Sequence, residues 1–89
     1  MKTTHIVMIG AGSYVFSIGF LYDLLVGNGT NSLHLTLVDS NEAMAERVAA
    51  IGRIIAQQAS VPVEIHATTH REQALLHAEL IITHRDVLP

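Results

Sequence analysis

Cysteine and tryptophan are absent from the 89 residues, and proline, tyrosine and phenylalanine occur only twice each. Without cysteine there is no disulfide scaffold, no thiol redox chemistry and no cysteine-ligated metal within these residues. That usage suits a reducing cytosol, so a cytoplasmic location is the expectation. Positive charge is also scarce: Lys2, Arg47, Arg53, Arg71 and Arg85 are scattered against eight acidic residues, for a net charge of −3 and a pI near 6.0. A nucleic-acid partner needs clustered cations and is not expected. Apolar side chains are plentiful instead, with 49% hydrophobic residues, 15% charged and a mean hydropathy of +0.38, which excludes intrinsic disorder. The length permits one small domain, residues 1–89, with a large share of its apolar surface near water and no staple to help it.

The run from His5 to Tyr22 carries no formal charge, which raises a secretory signal or a membrane span as a rival. Gly10, Gly12, Ser13, Ser17 and Gly19 interrupt it, Asp23 follows at once, and Lys2 is the only basic residue before it. Neither a signal nor a membrane partner is therefore expected.

Apolar runs and amphipathic stretches alternate. His5 to Ile9 is a short β-branched run stopped by Gly10, as in a buried strand that ends in a turn. From Ser13 to about Val26, Phe16, Phe20 and Leu24 recur every four residues, which is helical spacing, and Gly19 is suited to close packing of that helix on a sheet. A polar cluster from Gly27 to Ser32 makes a turn. Leu33, Leu35 and Leu37 alternate in a second strand through Val38. Asp39 or Ser40 can cap the helix that follows, because a side-chain oxygen there accepts an orphaned first-turn N–H. In that helix, to about Ala59, Met44, Val48, Ile51 and Ile55 form one stripe opposite Glu42, Glu46, Arg53 and Gln57. Beyond Pro62, Val63, Ile65 and Ala67 alternate in a third, more exposed strand. Thr69 and Glu72 have capping-box spacing for a short helix through about His77, and Leu80 to Thr83 reads as a fourth strand. Strand and helix in strict alternation predict an α/β fold with a doubly wound parallel sheet.

Gly10-Ala11-Gly12-Ser13 falls between the first strand and the first helix, where a phosphate meets backbone N–H groups and the positive end of the helix dipole. Gly10 permits a tight turn and Gly12 a close backbone approach, although Val15 stands where the dinucleotide fingerprint wants a third small residue. Two glycines making a turn without a ligand is the competing reading. Asp39 ends the second strand, where a carboxylate accepts hydrogen bonds from the adenosine ribose of NAD and repels the 2′-phosphate of NADP. It could equally serve only as a helix cap.

Among six histidines, His66 and His70 are four apart, and His70, His77 and His84 are separated by sevens. Four-residue spacing gathers imidazoles only on one continuous helix, and here it straddles a strand and a helix start, so these residues alone predict no metal site. His5 and His34 lie within strands and read as packed or edge residues. Asp23 and Glu79 have no catalytic motif around them.

The segment Ile6-Val-Met-Ile-Gly-Ala-Gly-Ser-Tyr-Val-Phe16, with Leu37-Val-Asp39 and Ala67-Thr-Thr69, resembles the amino-terminal part of the family four glycoside hydrolases. These are NAD- and divalent-metal-dependent α-glucosidases, α-galactosidases, α-galacturonidases and 6-phospho-glycosidases, and they are several times longer. The resemblance runs from about His5 to Thr83. It implies the first half of a Rossmann-type NAD-binding domain with strand order 3-2-1-4. It further implies NAD as cofactor, with Gly10, Ala11, Gly12, Ser13, Tyr14 and Val15 at the pyrophosphate, Asp39 at the adenosine ribose and Thr83 towards the nicotinamide. In such enzymes NAD oxidises the sugar at C3, a base removes the C2 proton and the aglycone is eliminated, unlike two-carboxylate glycosidases. The metal, manganese in the parent enzyme, and the catalytic base would be held by motifs beyond residue 89.

After Thr83 the chain reads His-Arg-Asp-Val-Leu-Pro, where the family continues through an Arg into paired glycines, so the ending looks like a truncation or a shifted frame. The expectation is an NAD-binding segment of an α-glycosidase that meets sugar only as part of the parent enzyme and is inactive alone. Two alternatives stay open: a fragment of a lactate/malate-type NAD-dependent dehydrogenase, and a non-catalytic NAD-responsive module that forms a homo-oligomer through an uncovered sheet edge.

Overall fold

The computed structural model describes residues 3–11, 14–27 and 32–83, without the side chains of 14–17 and 26–27. Seven elements follow one another: β1 (Thr3–Ile9), α1 (Tyr14–Gly27), β2 (Ser32–Val38), α2 (Glu42–Ala59), β3 (Val63–Thr68), α3 (Arg71–Leu75) and β4 (Leu80–Thr83). The strands pair in parallel in the order β3-β2-β1-β4. The expected doubly wound α/β architecture and its strand order are both present. β1 and β2 are central, and the chain crosses from β3 to the far side of β1 before it forms β4.

Strand alternation divides the sheet into two unlike faces. One carries the rows Ile6–Leu35–Ile65 and Met8–Leu37–Ala67. Leu21 and Leu25 of α1 and Val48, Ala49 and Ala56 of α2 join these rows in the main core. The other face carries His5–His34–Glu64 and Val7–Thr36–His66, and among the described residues only the short α3 lies near it, with Gln73, Ala74 and His77 beside His5, Val7, His34 and Thr36. The helix face therefore holds most of the buried apolar surface.

Local chemistry differs from the sequence expectation at three points. Asn41, not Asp39 or Ser40, caps α2: its side chain accepts from the Met44 N–H at 3.2 Å. Asp39 acts one step earlier by accepting from the Asn41 N–H at 2.8 Å, which sets the turn that brings Asn41 to the cap position. The proposed capping box at α3 does not form, because His70 occupies the cap position without a side-chain cap bond and Thr68 Oγ1 takes the His70 N–H. That helix ends at Leu75. Gly19 is not a packing contact, since a Cβ there would meet nothing within 4 Å; the close approach is at Gly52 of α2.

Candidate functional site

A crevice of about 660 Å³ opens at the carboxyl ends of β1 and β2. Ile9 and Gly10 form one side, Val38, Asp39 and Ser40 the next, and the turn into α3 (Thr69 to Gln73) the third. Open α/β sheets bind ligands outside the carboxyl ends of their strands, where crossovers to opposite sides leave a gap.

Gly10 has φ 80°, a conformation that a side chain resists, so the turn out of β1 selects glycine. The N–H groups of Gly10 and Ala11 both donate to the Val38 carbonyl, at 2.8 and 3.1 Å. Ala11 is completely buried. These two residues shape the turn and spend their own donors on β2, so N–H groups for a phosphate must come from the residues that follow. Gly12 and Ser13 lie outside the described residues. Tyr14 and Val15 begin α1, where the first N–H groups of a helix lack intrahelical partners and the dipole favours an anion.

Asp39 is half-buried in the wall of the crevice. Its N–H donates to the Thr68 carbonyl at 3.2 Å, which ties the end of β2 to the end of β3. A carboxylate offers about four acceptor sites, so holding the Asn41 N–H is compatible with taking ribose hydroxyls. Cap support and ligand acceptance are therefore compatible in one residue. Thr83 pairs in register with Ile9 and stands across β1 from Asp39. It is outside the 660 Å³ crevice.

The wall formed by His70, Arg71 and Glu72 has no counterpart in the motif reading. Its signal was the turn after the third strand, whose place beside the glycine turn depends on strand order. Glu79 is structural: its carboxylate accepts from the His5 N–H at 3.1 Å and its own N–H donates to the His5 carbonyl at 2.8 Å, which anchors the start of β4 to β1.

Among the described residues, His70 and His77 join no group of potential metal ligands, and His84 lies outside the described residues. His34 lies between the His5 and His66 rings, and partial burial, reinforced by those imidazoles, holds its pKa below the ordinary 6.5 against the opposing pull of Glu64. No helix among the described residues is long and apolar enough to cross a membrane.

Comparison with known proteins matches residues 5–87 to the family described as family 4 glycosyl hydrolases. Among solved structures, a 6-phospho-alpha-glucosidase from gut microorganisms in complex with NAD and glucose-6-phosphate is similar, with 25% identity and a TM-score of 0.74 over 97% of this chain. Another 6-phospho-alpha-glucosidase from gut microorganisms, in complex with NAD and Mn2+, is 18% identical with a TM-score of 0.72 over 94% of this chain. The chain spans 20% and 19% of the lengths of those two proteins.

Proposed function

This chain belongs to the family 4 glycosyl hydrolases, and from that premise we propose that it is the NAD-binding amino-terminal segment of a cytoplasmic α-glycosidase. The observation that carries the reading is the crevice at the carboxyl ends of β1 and β2, with glycine at φ 80° on one side and a strand-terminal carboxylate on the other. Its size and chemistry fit the adenosine half of a dinucleotide. The NAD bound by both similar 6-phospho-alpha-glucosidases supports the same cofactor here. Family membership sets aside the lactate/malate-type dehydrogenase.

In this reading Gly10 and Ala11 hold the turn open, and Gly12, Ser13 and the backbone of Tyr14 and Val15 present N–H groups to the pyrophosphate. Asp39 accepts from the adenosine ribose, and Thr83 borders the nicotinamide side. When bound, NAD supplies a hydride acceptor for oxidation of the sugar at C3, which acidifies the C2 proton and allows elimination of the aglycone. The chain's own residues bind and orient; none is assigned a proton transfer. The divalent metal, manganese in one similar enzyme, and the catalytic base are assigned to residues outside these 89.

Calorimetric titration with NAD tests the site. The folded chain is expected to bind NAD, and Asp39→Ala to weaken it about tenfold or more, as loss of charge-assisted hydrogen bonds requires. Circular dichroism verifies that the variant stays folded. A folded chain that ignores NAD overturns the cofactor site, and turnover of a 6-phospho-α-glucoside by the chain with NAD and Mn2+ overturns the placement of the catalytic groups elsewhere.

A further inference from the structure

We propose that His34, Glu64 and His66 form a second, independent metal site, one for a borderline divalent ion such as zinc, that links β3 to β2. Its origin is strand geometry. Glu64 and His66 are two apart on β3 and so project to the same face. The parallel register sets His34 of β2 opposite Glu64, on that face. One potential ligand atom from each residue lies within 4.8 Å of the others. The Glu64 and His66 side chains approach to 3.8 Å, and the His34 and His66 ring centroids to 5.1 Å.

Zinc bonds of about 2.0–2.2 Å require ligand atoms about 3.3 Å apart in a tetrahedron. The group must therefore contract, and it can do so through side-chain rotamers alone. His66 and Glu64 are 61% and 75% exposed, while the paired strands hold all three backbones in place. Two imidazoles and one carboxylate suit zinc, nickel or copper; magnesium and calcium prefer an all-oxygen shell. Three protein ligands leave a position for water.

The place is distinct from the dinucleotide crevice. His34 precedes the last residue of β2 by four positions, roughly 13 Å along a strand. Among the described residues β3 is an edge strand paired with β2 alone, so an ion held by residues of both strands would cross-link the margin of the sheet. The site takes nothing from the glycosidase reading, and its test needs neither NAD nor sugar.

Zinc chloride is titrated into the metal-stripped chain at neutral pH by calorimetry, with cobalt(II) absorption reporting coordination and circular dichroism following the fold. One ion per chain is expected, together with a rise in melting temperature, because a ligand that binds only the folded state stabilises it. Outer-shell partners alone are worth 10- to 100-fold in affinity, so removal of a direct ligand in His66→Ala or Glu64→Gln is expected to cost about 100-fold or more. Both variants alter exposed side chains, and His70→Ala and His77→Ala serve as controls that keep the wild-type affinity. Absence of zinc binding, or equal binding by His66→Ala or Glu64→Gln, overturns the site.

Discussion

Gly19 and Gly52 both sit within helices, yet their surroundings are opposite. A methyl at Gly19 would project into open space, whereas at Gly52 it would lie 2.9 Å from Ile65 Cδ1 and 3.2 Å from Leu21 Cδ1. Ile65 is 3% exposed and Leu21 is fully buried, so neither side chain has free volume into which to retreat. Gly52 is thus where α2 comes down onto β3 and α1. Gly19→Ala is expected to stabilise the chain by about 0.5–1 kcal/mol, the ordinary helical advantage of alanine over glycine. Gly52→Ala is expected to destabilise it by about 1 kcal/mol, because an overpacking cost of about 1–3 kcal/mol exceeds the same helical gain. Urea midpoints of the two variants should move in opposite directions; movement in the same direction would remove Gly52 from the packing contact. Arg53, next to Gly52, works differently: its guanidinium donates to the Ile65 carbonyl and covers part of the backbone of the edge strand.

At the scale of the element, α2 is closed at both ends. Its amino end is closed by the Asn41 side chain and its carboxyl end by Ser60, whose φ of 58° places it in the left-handed region. The N–H of Val61 then reaches back to the Ala56 carbonyl at 2.9 Å, and Val61 is buried, which is the bond and the apolar contact of a Schellman ending. Asn41→Ala is expected to cost about 1 kcal/mol in thermal or urea unfolding and Ser40→Ala much less. Equal losses would return the cap to Ser40. That α2 is an amphipathic helix was legible in the sequence because helical periodicity is a property of the local chain, but its buried line is Ala45, Val48, Ala49, Gly52 and Ala56, with Met44, Ile51 and Ile55 of the expected stripe only half-buried beside it. The identity of the cap was not, because Asp39, Ser40 and Asn41 all have suitable side chains and only the course of the chain off β2 decides among them. The same limit applies to α3, where Thr69 and Glu72 have the right spacing but the backbone puts His70 at the cap.

For the molecule as a whole, the two faces of the sheet contribute unequally. Leu35 faces α1 and α2 and is 2% exposed, while its neighbour Thr36 faces the side that α3 covers in part and is half-buried. Leu35→Ala is expected to cost about 2–5 kcal/mol, enough to unfold much of a small domain with a single core. Thr36→Ala should stay within about 1 kcal/mol. Comparable losses at the two positions, measured by chemical denaturation, would mean that the α3 face supports the fold as strongly as the main core. The inequality also matters for function. The crevice lies at strand ends anchored by the strong face, whereas His5, His34, His66 and Glu64 lie on the weak face, where side chains have more room to move.

The order of elements, the apolar rows of the strands and the glycine turn at Gly10 follow from the amino-acid sequence by itself, because local periodicity and turn chemistry are written in neighbouring residues. The end of β2 just before Asp39 belongs with them. Tertiary structure decided what depends on residues far apart in the chain: the Val38 carbonyl taking the N–H groups of Gly10 and Ala11, the turn after β3 closing the crevice, and Glu79 anchoring β4 to His5. The His34–Glu64–His66 group belongs to the same class. Spacing along the chain separates His34 from His66 by a whole helix, and only the pairing of β2 with β3 makes them neighbours. Register across a sheet is fixed by collective burial of the opposite face, so no local pattern in either strand could have announced the contact.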